Sequence, residues 1–126
     1  MQSNRRETLA AGLGLALCGL APTSLGETSM YGLIGRMRAQ PGRRDELAAI
    51  LLEGTGGMPG CLSYIVARDP ADADALWVTE VWDSADSHRA SLELPQVRDA
   101  IARGRPLIAG FDTHIETEPL GGQGLS

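Results

Sequence analysis

Within ALWVTEVWDSADSH, residues 75–88, three side chains could do acid–base chemistry on an aromatic molecule: Glu80, Trp82 and His88. Side chains alternate between faces along an extended strand. Leu76, Val78, Glu80 and Trp82 therefore share one side, and Trp77, Thr79 and Val81 the other. Glu80 is then a carboxylate among apolar neighbours and beside an indole. Such a group either finds a cationic partner or resists ionisation. Arg36 and Arg38 on an earlier segment are available as that partner. In the following helix Ala85, His88 and Leu92 fall on one face, which turns the imidazole inward toward Trp82. An inward histidine is either a hydrogen-bonded structural residue or a proton acceptor with an ordinary pKa near 6.5. Spacing leaves both open, as it leaves Glu80 open between ion pair and function. His114, between Thr113 and Ile115, has no partner suggested by the sequence and reads as structural.

The elements that must position these residues follow from pattern and punctuation. Residues 30–39 are apolar and extended in character, a first strand. Pro41 suits the first turn of a helix, where its missing N–H costs nothing. Asp45 and Glu46 favour the positive helix start, and Leu47, Ile50 and Leu51 recur at helical spacing. Gly54 with Gly56 and Gly57 ends that helix. Residues 61–68 and 75–82 read as strands joined by the polar, hairpin-length connection 69–74. Ser84 is a good N-cap for a short helix to about residue 94. Pro95 restarts a helix with Val97 and Ile101 inward, Pro106 closes it, and residues 107–117 form a last strand. Residues 119–126 read as a flexible tail. The order β-α-β-β-α-β is the ferredoxin-like split βαβ arrangement, an α+β fold with helices on one face of the sheet. Apolar residues on both faces of the strands predict a partner sheet on the other side, hence a homodimer.

Composition excludes several classes. The 126 residues suggest one domain, residues 30–118, behind a distinct leader. All basic residues are arginine, so no lysine amine is present for Schiff-base chemistry. A net charge of −5 with no basic stripe argues against nucleic-acid binding. No glycine-rich phosphate loop follows a strand, and no His or Cys pair has metal-ligand spacing. Residues 1–29 carry Arg5-Arg6, then an Ala/Gly/Leu run too short to cross a bilayer, which takes about 20 residues. They read as a signal peptide of twin-arginine character, with Thr8 where that motif usually has Phe. This predicts a periplasmic or secreted protein with no membrane anchor after leader removal; a true start at Met30 would make it cytoplasmic. Cys61, alone in the domain, rules out a disulfide framework and reads as a small residue at the start of a strand.

These residues resemble the antibiotic biosynthesis monooxygenase (ABM) domain, including quinol monooxygenase-like proteins. The resemblance covers about residues 30–118. It rests on Met30–Gly35, on Pro59-Gly60-Cys61, and on Trp77–Ser84 followed by His88 and Pro95. It implies a dimeric α+β barrel whose pocket, between sheet and helices, binds a small quinol or polycyclic aromatic and O₂ without metal or cofactor. Trp82 would wall the substrate, and His88 or Glu80 would act as base or anion stabiliser. Two departures stand out. Many relatives carry a second histidine where this chain has Ser91. Haem-degrading relatives use an Asn–Trp–His set, yet the only asparagine here is Asn4, in the leader. A non-catalytic ligand-binding or stress-response domain, and a haem-binding relative, are the alternative expectations.

Overall fold

The computed structural model describes residues 29–125. The signal-peptide expectation for residues 1–29 falls, but for Ser29, outside the described residues, and so does Ser126. Four strands and three helices follow one another as β1 (Tyr31–Ala39), α1 (Arg44–Gly54), β2 (Cys61–Arg68), β3 (Ala75–Trp82), α2 (Ala85–Ser91), α3 (Pro95–Gly104) and β4 (Ile108–Thr117). A single 3₁₀ turn, Arg105–Leu107, links α3 to β4. The strands pair antiparallel in the order β2-β3-β1-β4. This is the ferredoxin-like α+β arrangement expected from the sequence.

Two local expectations are corrected. Pro41 does not enter the first helix. Gly42 adopts φ +78°, a left-handed conformation no helix can include, and its N–H donates to the Asp74 carboxylate at 3.1 Å. The chain turns there, and α1 starts at Arg44 with Asp45 and Glu46 in its first turn. The helix from Ser84 is also shorter than expected. It ends at Ser91, and Leu94 takes an extended conformation as the N-cap of α3. Before proline that backbone is the favoured one.

The helices bury two hydrophobic clusters against one face of the sheet. Ala39, Leu47, Ile50, Leu76, Ala100 and Leu107 form the first, at the end of the sheet where β1 finishes. Met58, Trp82 and Val97 form the second, with Tyr31, Cys61, Tyr64 and Leu94 packed around it. In α3 the buried residues are Val97, Ala100 and Gly104; Ile101, expected inward, is 40% exposed. Its outward tilt belongs to a groove described below.

The edge strand carries one irregularity that matters for the site. Arg36 pairs with Thr113 while the next residue, Met37, pairs with Phe111, so Asp112 is an extra residue. A bulge of this kind shifts the alternation by one. Phe111 and His114, three apart, both come to the helix-facing side, opposite Met37 and Gly35.

Candidate active site

Trp82 closes β3 and is buried to 1% exposure in the second cluster. Its indole N–H donates to Glu80 Oε1 at 2.9 Å. Two residues apart on one strand, the pair stands side by side on the helix-facing surface. Cross-strand register puts Leu33 of β1 and Tyr64 of β2 on either side of Glu80. His88 arrives from α2, with Nε2 3.9 Å from the same Glu80 oxygen. Its ring lies 5.3 Å from that of Tyr31 and 5.5 Å, nearly edge-on, from Trp82. The three residues singled out in the sequence thus converge.

Local chemistry explains why α2 delivers the imidazole there. Ser84 is extended and its Oγ accepts from the Ser87 N–H at 3.1 Å, an N-cap that sets where the helix begins. Ser87 packs over Gly60, whose φ is +82°. A side chain at Gly60 would sit 2.5 Å from Ser87 Oγ, so the close approach of α2 requires glycine. Asp83 N–H donates to the Gly60 carbonyl at 2.9 Å and ties the two segments. Ser91, which stands where many relatives carry a second histidine, is buried and donates to the His88 carbonyl at 2.6 Å. That bond closes the last turn of α2, and Ser91 also lines the cavity in front of the cluster.

The cross-strand ion pair considered for Glu80 does not form. Glu80 is level with Leu33, and Arg36 and Arg38 fall on the opposite face of β1. There Arg36 binds Asp69 at 3.1 Å, Asp72 at 3.2 Å and also Asp112. Arg38 binds Asp72 at 2.6 Å and Asp112 at 3.0 Å. Among the described residues Glu80 keeps the indole and the nearby imidazole as partners.

A cavity of about 300 Å³ opens in front of this cluster, with Met58, Val97 and Ala100 among its apolar walls. A second chamber of about 210 Å³ shares Tyr64, Glu80, His88 and Phe111 with it and adds His114. Burial pushes the Tyr64 phenol well above its ordinary range, and its hydroxyl has no partner among the described residues. It is therefore a protonated donor free to meet a ligand oxygen. Tyr31, behind His88, donates to Glu116 at 2.6 Å, and that bond first, then burial, raises its pKa to about 12. Burial also pushes the Cys61 thiol up, consistent with a packing role. A separate hollow beyond Tyr31 is larger, about 550 Å³, but Asp86, Glu116 and Glu118 line it. Three carboxylates disfavour an aromatic anion there, so the Glu80 cavity is the better site.

Three members of the cluster were not singled out in the sequence. Tyr64 had a misleading signal: a symmetric hairpin about residues 69–74 would pair it with Thr79, and the observed register, one residue further along, sets it opposite Glu80. Tyr31 had a weak signal, as an aromatic at the start of an apolar strand. His114, read as structural, had none. Simple alternation puts it on the face opposite Phe111, and only the bulge at Asp112 brings both to the cavity. Among the described residues no group of three His, Cys, Asp or Glu side chains is placed to hold a metal ion.

The antibiotic biosynthesis monooxygenase family model matches residues 30–103. The chain belongs to that family. An antibiotic biosynthesis monooxygenase structure from Chloroflexus aurantiacus is 68% identical, with a TM-score of 0.77, covering 78% of this chain and 100% of that one. A family structure from Caulobacter crescentus is 22% identical, TM-score 0.68, over 78% of this chain and 96% of its own. SnoaB of Streptomyces nogalater, a cofactor-independent oxygenase, is 15% identical, TM-score 0.62, over 75% and 96%. The last two support the fold alone. No curated protein matches the chain.

Proposed function

We propose that this protein is a cofactor-independent monooxygenase that oxidises a small quinol or polycyclic phenol with O₂ in the Glu80 cavity. One observation carries the reading: a carboxylate fixed by an indole N–H at 2.9 Å stands 3.9 Å from an imidazole, in the wall of a mostly apolar cavity. Membership of the antibiotic biosynthesis monooxygenase family supports it.

Ground-state O₂ reacts poorly with closed-shell molecules, whereas a phenolate can give it one electron directly. His88 Nε2 takes the phenol proton, and the neighbouring Glu80 charge stabilises the imidazolium that results. Tyr64 donates to the substrate oxygen and stabilises the phenolate. Electron transfer leaves an aryloxyl radical and superoxide, which combine at a ring carbon bearing hydrogen to form a C–O bond. Loss of that hydrogen as a proton and cleavage of the O–O bond release water and leave a carbonyl. The balance is phenol plus O₂ to quinone plus water. The apolar walls keep bulk water from the anion.

Oxygen uptake with a panel of quinols tests the reading. Stimulated uptake by the wild type, lost in His88→Ala and Glu80→Gln, is the expected result. An aromatic that binds, raises the melting temperature and stays unchanged in air would favour the non-catalytic reading instead.

The outer face of the sheet presents Ile34, half-exposed Ile65 and half-exposed Ile115, and we infer that a second copy covers it to make a homodimer. Sedimentation as a monomer at micromolar concentration would count against that. The leader argues for export, and a mature N-terminus near residue 30 in the extracytoplasmic fraction is the expected result.

A further inference from the structure

The Glu80 cavity shares part of its wall with a second, larger hollow. Leu51, Ala100, Ile101 and Phe111 are shared with a groove of about 550 Å³ between α1, α3 and the start of β4. Met37, Leu47 and Ile108 line the groove as well, so the run is aliphatic from the reactive cluster outward. Phe111 is 68% exposed and Ile101 40%, an unusual cost for large apolar residues beside an open channel. The other charged residue types of the chain are absent from the groove lining, except for Arg105 at the 3₁₀ turn.

Arg105 differs from its fellows. Arg36, Arg38, Arg43, Arg44, Arg68, Arg89, Arg98 and Arg103 each face a carboxylate. Arg105 is exposed and has no such partner among the described residues. An unpaired guanidinium at the rim of an apolar groove is a receptor for an anion, because its fork of N–H groups matches a carboxylate.

We propose that the ligand is an elongated, acidic amphiphile. Its hydroxylated ring sits at Glu80 and His88, its apolar body runs along the groove past Phe111, and a carboxylate at its far end meets Arg105. This assignment rests on the reading of Glu80 and His88 as the reactive end. It narrows the substrate class from any quinol to a hydroxylated aromatic bearing an acid-terminated arm.

Isothermal titration calorimetry with four probes tests it: 1-naphthol, the same ring with a hexyl arm, with a carboxylate-terminated arm, and with a trimethylammonium-terminated arm. The carboxylate probe is expected to bind about fivefold more tightly than the hexyl probe at low salt, the upper range for a solvent-exposed ion pair. The gap should narrow as salt rises, with the ammonium probe the weakest. In Arg105→Gln the carboxylate probe should fall to the level of the hexyl probe while 1-naphthol is unchanged. Equal affinities of the three armed probes in the wild type, or an equal loss for all four in Arg105→Gln, would overturn the proposal. So would a wild-type dimer that Phe111→Ser turns into a monomer, because a second copy would then cover the groove. Oxygen uptake on an armless quinol separates the two readings. If uptake persists while the arm effect is missing, Arg105 alone is misassigned; if neither uptake nor binding of any probe is seen, the site itself is.

Discussion

The two tryptophans of β3 make the same bond on opposite faces of one sheet, with opposite consequences. Trp77 donates to Asp69 at 3.0 Å, and Trp82 donates to Glu80 at 2.9 Å. Asp69 also accepts from the Ala71 N–H and from Arg36, which lies over the Trp77 ring. Its acceptor sites are occupied, and those bonds, the Ala71 N–H first, hold its carboxyl below the usual range. Glu80 meets no guanidinium among the described residues; besides the indole it has a neighbouring imidazole and an open cavity. The same residue types therefore build a saturated network on one face and a carboxylate with spare capacity on the other. Spare capacity is what a proton transfer needs; saturation is what a frame needs.

The contrast can be broken most forcefully at Trp82. Trp82→Ala removes a fully buried ring and the donor that fixes Glu80, and should cost about 3–5 kcal/mol in chemical denaturation. Trp77→Ala, on the half-buried outer face, should cost clearly less; equal losses would erase the distinction. Next in size is Glu80→Gln, which keeps an oxygen for the indole N–H but loses the charge. Turnover should fall about 100-fold or more with the melting temperature nearly kept, as removal of a general acid–base partner does. If activity survives, Glu80 only positions Trp82.

The outer face should respond to acid. The Asp74 N–H first, then Arg38, depress the Asp72 carboxyl to about 2. A carboxyl lowered by folding adds stability above its unfolded value, near 3.9, and loses it as pH falls toward 2. Asp72→Asn should flatten that part of the stability–pH curve without affecting oxygen uptake. The smallest expected effect is at Tyr31, whose folded value of about 12 lies above the ordinary 10. A phenol raised by folding adds stability below pH 10 that disappears between 10 and 12. Tyr31→Phe should remove that alkaline step and cost about 1 kcal/mol or less at neutral pH.

Much of this was readable in one dimension. The alternation in ALWVTEVW separates Trp77 from Trp82, and Ser84 starts the helix that carries His88 inward. The strands expected from hydrophobic pattern agree with those observed to within a residue or so, because each buries a face whose period is set by local backbone geometry. What failed depended on single conformations. Gly42 in a left-handed turn kept Pro41 out of α1, and the bulge at Asp112 moved His114 across the sheet. Neither leaves a periodic trace.

By itself, then, the sequence determined the order of elements, the face on which Glu80 and Trp82 stand, and the helix that brings His88 to them. Period-2 and period-3.6 patterns are properties of consecutive residues, so they survive without coordinates. Only the tertiary structure decided which partners those residues meet. It gave Arg36 and Arg38 to Asp69, Asp72 and Asp112 instead of Glu80, set Tyr64 and His114 beside the reactive cluster, and placed Arg105, with no carboxylate partner among the described residues, at the rim of an apolar groove. Those are matters of strand register and packing between segments far apart in the chain, which no local pattern encodes.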